Sequence, residues 1–266
     1  FQPHPAKPHP LWSRGLGDVY KRQYPKNEIL LTENRPGLWK SIPEQALSKR
    51  YSAFGFEAAR ENPDLRREYI QAYHACISFV DAQIKLIFDA LRESGHWDDT
   101  VVIFTSDHGY HLGEHYQWGK VTLFDIGTRV PFMVRVPGMT KPGTYSEAMV
   151  ELVDIFPTLV DLCGFEPPED TQGMSLRPLL GHPDRLGKKK YAYTVVRRGQ
   201  KLGYAIRSQR WRYSQWPQGE ELYNLTNDPE EQRNLAGKSH VETRLVEMRQ
   251  ILDAKRKVAG TIQTIE

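Results

Sequence analysis

Cysteine is nearly missing from the chain: Cys76 and Cys163 are the only two in 266 residues. Two thiols cannot make a disulfide framework, and neither stands in a spacing that would hold zinc. Each falls in an apolar helical pattern, where a free thiol is expected to behave as a small hydrophobe. Long apolar runs are also lacking; none approaches the ~20 residues of a membrane helix, so no membrane span is expected. Nor does one charge dominate. The 36 Lys and Arg face 33 Asp and Glu, a formal net charge of +3, which gives a nucleic-acid partner little support. The single dense basic run, Lys188-Lys189-Lys190, is expected to be a solvated surface loop. There are no internal repeats, and no signal-peptide pattern opens the chain at Phe1. Nothing in the sequence speaks to oligomeric state.

What remains is a globular composition, 39% hydrophobic and 26% charged, in a chain long enough to bury a substantial core. Residues 1–23 are rich in Pro, His, Arg and Lys and lack periodicity. Their GLGDVYKRQ ending resembles translated adapter sequence, so this segment is expected to be disordered or artefactual. Residues 24–185 are read as the main α/β domain and 186–266 as a small β-sheet plus helix.

Local signals place the elements. Asn62-Pro63-Asp64 starts a helix, because Asn62 accepts from free backbone N–H groups and Pro63 occupies a first turn that needs no donor. Its apolar stripe is Tyr73, Ile77, Val80, Ile84, Ile87 and Leu91, with Gly95 as the stop, and the face is expected to pack on a sheet. Val101–Phe104 reads as a strand covered on both faces, which after a helix suggests parallel α/β order. A second strand spans Val130–Val136. Residues 107–119 are too broken by glycine for a helix. Asp154 is read as the cap of a helix through Leu162, ended by Gly164. Short strand-like runs fill 191–223, and Val241, Leu245, Met248 and Leu252 mark a final amphipathic helix. Asn224-Leu-Thr226 is a sequon, read as a chance turn motif.

Chemistry concentrates just after the first strand. In open α/β sheets ligands sit beyond the carboxyl ends of the strands, and Asp107 and His108 fall there, a carboxylate beside an imidazole on one turn. Gly109 allows a sharp turn. Lys120, thirteen positions beyond Asp107, can return an ammonium toward a bound anion. An Asp closing a loop beside an incidental His explains the tripeptide equally well.

The longer string, TSDHGYHLGEHYQWGK over residues 105–120, closely resembles the corresponding stretch of type I sulfatases of the alkaline phosphatase-like superfamily, especially the iduronate-2-sulfatase-like branch. The resemblance continues through YHACISFVDAQIKLIFDAL, VELVDIFPTLVDLCG, QGMSLRPLLG, GYAIRSQRWRYSQW and ELYNLTNDPEEQRNLA, covering about residues 65–236. It implies an α/β fold, part of an alkaline phosphatase-like mixed or parallel sheet flanked by helices, followed by a small C-terminal antiparallel sheet and terminal helix. It also implies that Asp107 and His108 ligate a divalent cation, usually calcium, and that Lys120 binds sulfate. His115 and Trp118 are candidates for the substrate pocket, with aromatic packing an equal role for Trp118; His111 has no assignable role. The partner implied is a sulfated sugar or glycan, in an extracytoplasmic setting. Imidazole is an unusual calcium ligand, which leaves room for another divalent metal.

The chain also departs from the family pattern. The C/S-x-P-x-R motif that yields formylglycine is nowhere in it, for neither HACISF nor DLCGFEP carries the required Pro and Arg. The N-terminal Asp pair of the metal shell is absent too. Catalysis is therefore expected of a full-length parent and not of this chain alone. Three rivals stand beside this reading. His111-Leu-Gly-Glu-His115 matches H-x-x-E-H of zinc proteases, although Gly109, Gly113 and Gly119 oppose the continuous helix that motif needs. Phosphatases and phosphodiesterases of the same superfamily share the Asp-His turn. A catalytically inactive metal-binding remnant is the third. Arg197, Arg198, Lys201 and Arg207 are candidates to meet a polyanionic glycan.

Overall fold

The computed structural model describes residues 19–47 and 62–260. Its principal elements are α1 (Pro63–Glu93), β1 (Val102–Thr105), β2 (His111–Leu112), β3 (Trp118–Gly119), α2 (Asp125–Thr128), β4 (Phe132–Arg135), α3 (Ile155–Leu162), α4 (Arg177–Gly181), β5 (Ala192–Arg198), β6 (Lys201–Arg207), β7 (Trp211–Trp216), β8 (Gly219–Asn224) and α5 (Glu242–Val258). They fall into two compact units, each discontinuous in sequence. One holds described residues up to 33, 62–100 and 111–119; the other holds 34–47, 101–110 and 120–260.

The first unit is built on α1. Asn62 accepts from the backbone N–H groups of Asp64 and Leu65 at 3.0 and 3.1 Å, and Gly95 follows the helix at φ +79°. A small core of Ile29, Ile70 and Trp118 gathers around the N-terminal half of α1, and Phe88 meets Trp97 edge-on at 5.5 Å. The stripe expected to pack on a sheet is different: Ile77, Val80 and Ile87 are exposed. Within this unit the hairpin of β2 and β3 pairs only two residues with two, too small to cover a helix of 31 residues. Of the N-terminal segment expected to stand apart, residues 1–18 lie outside the described residues. Tyr20 and Lys21, by contrast, belong to the fold: the Tyr20 ring meets Phe79 at 6.0 Å, and Gln71 donates to the Lys21 and Tyr24 carbonyls.

The second unit carries two sheets. β1 pairs with β4 antiparallel, Val102 opposite Arg135 and Thr105 opposite Phe132. The parallel order suggested by helix-then-strand sequence is thus not how these two strands meet, and β1 is only half-buried, since β4 is its one partner among the described residues. β5 to β8 form an antiparallel meander in chain order. Alternation along β6 and β7 sends side chains to two faces. Ala205 and Trp216 join Leu38, Ile42, Leu123 and Phe124 in one cluster, and Ile206 and Tyr213 join Leu222, Leu245, Met248 and Leu252 of α5 in another.

Several local expectations change in three dimensions. Lys189 is not solvated: its side chain is only 8% exposed, pairing with Glu151 and, at 2.6 Å, with Asp154. Asp154 does not cap α3; its carboxylate accepts from Glu151 N and Met174 N at 2.9 and 2.8 Å, tying two loops together. Both cysteines are exposed, so neither serves as core. Asn224 Oδ1 accepts from Thr226 N at 3.2 Å, the turn role read for that sequon. No helix among the described residues is long and apolar enough to cross a membrane.

A buried ion pair lies at the centre of the second unit. Arg212 on β7 and Glu231, both about 1% exposed, are joined through Nε and Oε1, with Glu221 Oε1 3.9 Å from Arg212 Nη2. Removing one partner of such a pair strands a buried charge, at a cost of about 3–5 kcal/mol. Burial lifts the Glu231 carboxyl from its ordinary 4.5 to about 7, against the pull of Arg212. Because the folded pKa is the higher, the stabilising contribution is full below about 4.5 and is lost as pH rises through about 7. Thermal unfolding across this window should show a decline with rising pH that Glu231→Gln removes. Independently, Leu252→Ala, at a fully buried α5 position, should lower unfolding free energy in urea by about 2–5 kcal/mol.

Candidate functional site

β1 delivers Asp107 and His108 immediately beyond its carboxyl end, as the sequence order required. The turn is set by local hydrogen bonds. Ser106 Oγ donates to the His108 carbonyl at 2.9 Å, and His108 N donates to Asp107 Oδ1 at 3.1 Å. The imidazole is oriented by its other nitrogen: Nδ1 lies 2.8 Å from the Gly109 carbonyl oxygen. A carbonyl only accepts, so Nδ1 carries the hydrogen, and Nε2 is the nitrogen left for a proton or a cation. That Nε2 stands 3.3 Å from Asp107 Oδ2.

Two acceptors converging at that distance need a proton or a cation between them. Asp107 is exposed and His108 partly so, which leaves the pair accessible to an ion from solvent. The backbone carbonyl behind the ring is the usual outer support of a metal-bound histidine. The donor set therefore fits one side of a divalent cation's shell. It does not complete one: calcium takes about 6–8 oxygen ligands, and no group of three or more His, Cys, Asp or Glu side chains among the described residues could hold a metal.

Two glycines let this turn rest directly on the next loop. Gly109 N donates to Gly127 O at 3.0 Å. A Cβ on Gly109 would stand 1.9 Å from the Ile126 carbonyl oxygen, and one on Gly127 would stand 2.3 Å from Thr122 Oγ1. Neither place has room for a Cβ: the first is filled by the Ile126 backbone, the second by the Thr122 hydroxyl. Gly109→Ala should drive the two loops apart, weakening protection of the Gly109 amide in hydrogen exchange and lowering the melting temperature; an unchanged amide would contradict the close approach.

Lys120 is exposed at the start of that loop. Its neighbour Val121 has φ +68°, a region that a β-branched residue enters at a cost of about 1–3 kcal/mol. Arg198 on β5 grips the same residue, donating from Nε at 3.1 Å and Nη2 at 2.6 Å to the Val121 carbonyl. Two charge-assisted bonds, each contributing about 1.5–3 kcal/mol, are enough to hold the strained conformer. Further along, Arg207 Nε donates to Asp125 Oδ1 at 2.9 Å. Arg198 and Arg207 are thus engaged within the fold and not displayed for a glycan, whereas Arg197 and Lys201 are exposed.

His115 and Trp118 belong to the other compact unit. Both are buried. Trp118 packs in the core with Ile29 and Ile70 and meets the Tyr69 ring at 5.9 Å; the His115 ring meets His111 at 5.6 Å. The H-x-x-E-H segment forms no helix. It runs through β2 into a 3-10 turn in which His115 has φ +55°, and Glu114 accepts from Leu112 N at 2.6 Å and Thr32 Oγ1 at 3.2 Å. The imidazoles are therefore not presented in the register that a zinc protease needs.

The structure thus brings Asp107 and His108 together and keeps Lys120 within the same unit. Arg212 and Glu231 had no role assigned from sequence, and Arg198 was read only as a contact for a glycan. Their only signal was membership of the RWRYSQW and DPEEQRNLA strings and of a basic pair on β5.

The Sulfatase family model matches residues 4–165, and the model for N-sulphoglucosamine sulphohydrolase, C-terminal, matches residues 113–258. An N-acetylglucosamine-6-O-sulfatase of Bacteroides thetaiotaomicron is 29% identical over 244 residues, covering 83% of this chain and 43% of that protein. Mouse iduronate 2-sulfatase is 37% identical over 129 residues, covering 40% of this chain and 23% of its own length. Among solved structures, BT4656 in complex with its substrate D-glucosamine-2-N,6-O-disulfate superposes with a TM-score of 0.72 at 27% identity, covering 85% of this chain and 50% of that one. The phosphonate monoester hydrolase of Agrobacterium radiobacter superposes at 0.77 with 25% identity, covering 94% and 55%. The chain spans about half the length of these structures or less of the relatives.

Proposed function

Because the chain belongs to the sulfatase family, we propose that it forms the cation-binding and sulfate-binding side of a site that hydrolyses sulfate esters of sugars. The observation that carries this reading is the convergence of Asp107 Oδ2 and His108 Nε2 at 3.3 Å, with Nδ1 held by the Gly109 carbonyl. Asp107 and His108 would hold a divalent cation, calcium in this reading, which would supply charge withdrawal from a sulfate ester; formylglycine, in a longer chain that carries its motif, would supply the nucleophile.

The chain's own residues have separable tasks. Asp107 contributes the negative charge that holds the cation. His108 contributes a lone pair whose direction is set by the Gly109 carbonyl. Lys120 places a positive charge against a sulfate oxygen, where charge builds as the S–O bond breaks. His115 and Trp118, the pocket candidates from sequence, are buried within the other unit, Trp118 in its core with Ile29 and Ile70. Residues 24–185 are proposed as the catalytic portion and 186–266 as the C-terminal subdomain. The sugar specificity follows the sulfated hexosamine and iduronate substrates of the relatives, and the setting is extracytoplasmic.

The phosphonate monoester hydrolase likeness keeps a second chemistry in view, because the Asp-His turn serves phosphoryl and sulfuryl groups alike. The nucleophile of the longer protein separates the two. A Cys or Ser in C/S-x-P-x-R followed by sulfate release supports the sulfatase reading; turnover of phosphonate esters without sulfate release overturns it.

Sulfate release from an aryl sulfate is the direct test. The purified 266-residue chain should show none, and a parent carrying C/S-x-P-x-R should show turnover that Asp107→Ala or Lys120→Ala reduces by about 10²–10³-fold. Clear turnover by the short chain, lost on Asp107→Ala, would disprove the need for the missing motif.

A further inference from the structure

The loop that begins at Lys120 is held at three successive points by the β5–β8 sheet and the segment after it. Val121, strained at φ +68°, has its carbonyl in the fork of Arg198, whose Nη1 also donates to the Gln45 carbonyl at 2.8 Å. Phe124 lies beneath the buried Arg212 guanidinium, 4.9 Å from its ring centroid. Asp125 N donates to Glu231 Oε2 at 2.7 Å, while the other oxygen of Glu231 pairs with Arg212. From there the constraint passes on without a side chain, through Gly127 O to Gly109 N, and so to the Asp107-His108 turn. Every one of these groups lies in the same compact unit.

We infer that Arg198 and Glu231 are positioning residues: gripping the Val121 carbonyl and the Asp125 amide, they set where Lys120 starts and where the Asp107-His108 turn rests. Val121 explains why a grip is needed. Released from Arg198, it would return to the extended region, rotating the peptide that follows Lys120 and carrying the ammonium with it. Glu231 explains why the effect reaches the turn. Its carboxylate fixes the first turn of α2, whose third residue, Gly127, is the acceptor for Gly109. The inference rests on the proposed roles of Asp107, His108 and Lys120 for its meaning, but its geometry is testable without them.

The test is amide hydrogen exchange on the purified 266-residue chain, with Arg198→Met, Arg198→Lys and Glu231→Gln compared with Arg249→Met. Arg249 pairs with Glu220 in the same unit but touches neither loop in these bonds, so it reports a general loss of stability. Arg198→Met should speed exchange about tenfold at the amides of 121–127 and at Gly109, with Arg198→Lys intermediate because a point charge replaces the fork. Glu231→Gln should act chiefly at Asp125 and Gly109. Equal effects in Arg249→Met, or none at Gly109, would overturn the inference. Should Arg198→Met not fold, the Arg198→Lys and Glu231→Gln comparison decides by the same criterion. A titration with inorganic sulfate, followed at the Lys120 amide, separates the two claims. Silence there in the unsubstituted chain counts against Lys120 as a sulfate ligand and leaves the exchange result standing; a response weakened about tenfold in Arg198→Met but not in Arg249→Met supports both.

Discussion

The site depends on a backbone contact with no side chain in it. Gly109 N meets Gly127 O at 3.0 Å, in a space where a Cβ on Gly109 would collide with the facing loop and one on Gly127 with Thr122 of its own loop. This contact sets the height of the Asp107-His108 turn above the strand that delivers it. β1 alone could not do so, since it is four residues long and has one partner strand among the described residues. The turn borrows its rigidity from the loop behind it, and that loop borrows its own from the C-terminal sheet.

The C-terminal sheet is therefore more than an appendage. Its cations face inward as well as outward. Arg212 is buried against Glu231 and stacked over Phe124 and Tyr223, Arg207 meets Asp125, and Arg198 meets Val121. A basic residue on a strand reads in sequence as solvated or as ligand-seeking, because charge is normally exposed. Which ones are internal depends on where a carbonyl or carboxylate waits in the folded chain. The same holds for Lys189, whose two basic neighbours made it look like part of a surface run although Glu151 and Asp154 bury it.

The family relationship and the site geometry support each other at different levels. Family membership concerns ancestry and chemistry class. The tautomer argument at His108 is local, and would make the turn a cation-binding candidate in a chain with no relatives. Neither provides the nucleophile, which the sequence does not contain. The exposed positions Ile77, Val80 and Ile87 on α1 show an apolar stripe of helical period that its own unit does not cover, so periodicity reported the helix correctly and its environment incorrectly.

What the sequence by itself determined were features encoded within a few residues of each other. The Asn62 cap and the Gly95 stop bounded α1, the spacing of Leu245, Met248 and Leu252 marked the buried face of α5, and the order strand, Asp, His, Gly placed the Asp107-His108 turn at a strand end. Those outcomes follow from local dihedral preference and period, which a chain carries before it folds. The tertiary structure alone decided the antiparallel meeting of β1 and β4, the burial of Lys189 and Arg212, and the grip of Arg198 and Glu231 on the Lys120 loop. Each joins residues between about 20 and more than 100 positions apart, and hydrogen bonds over such separations exist only once the intervening chain has closed its loops.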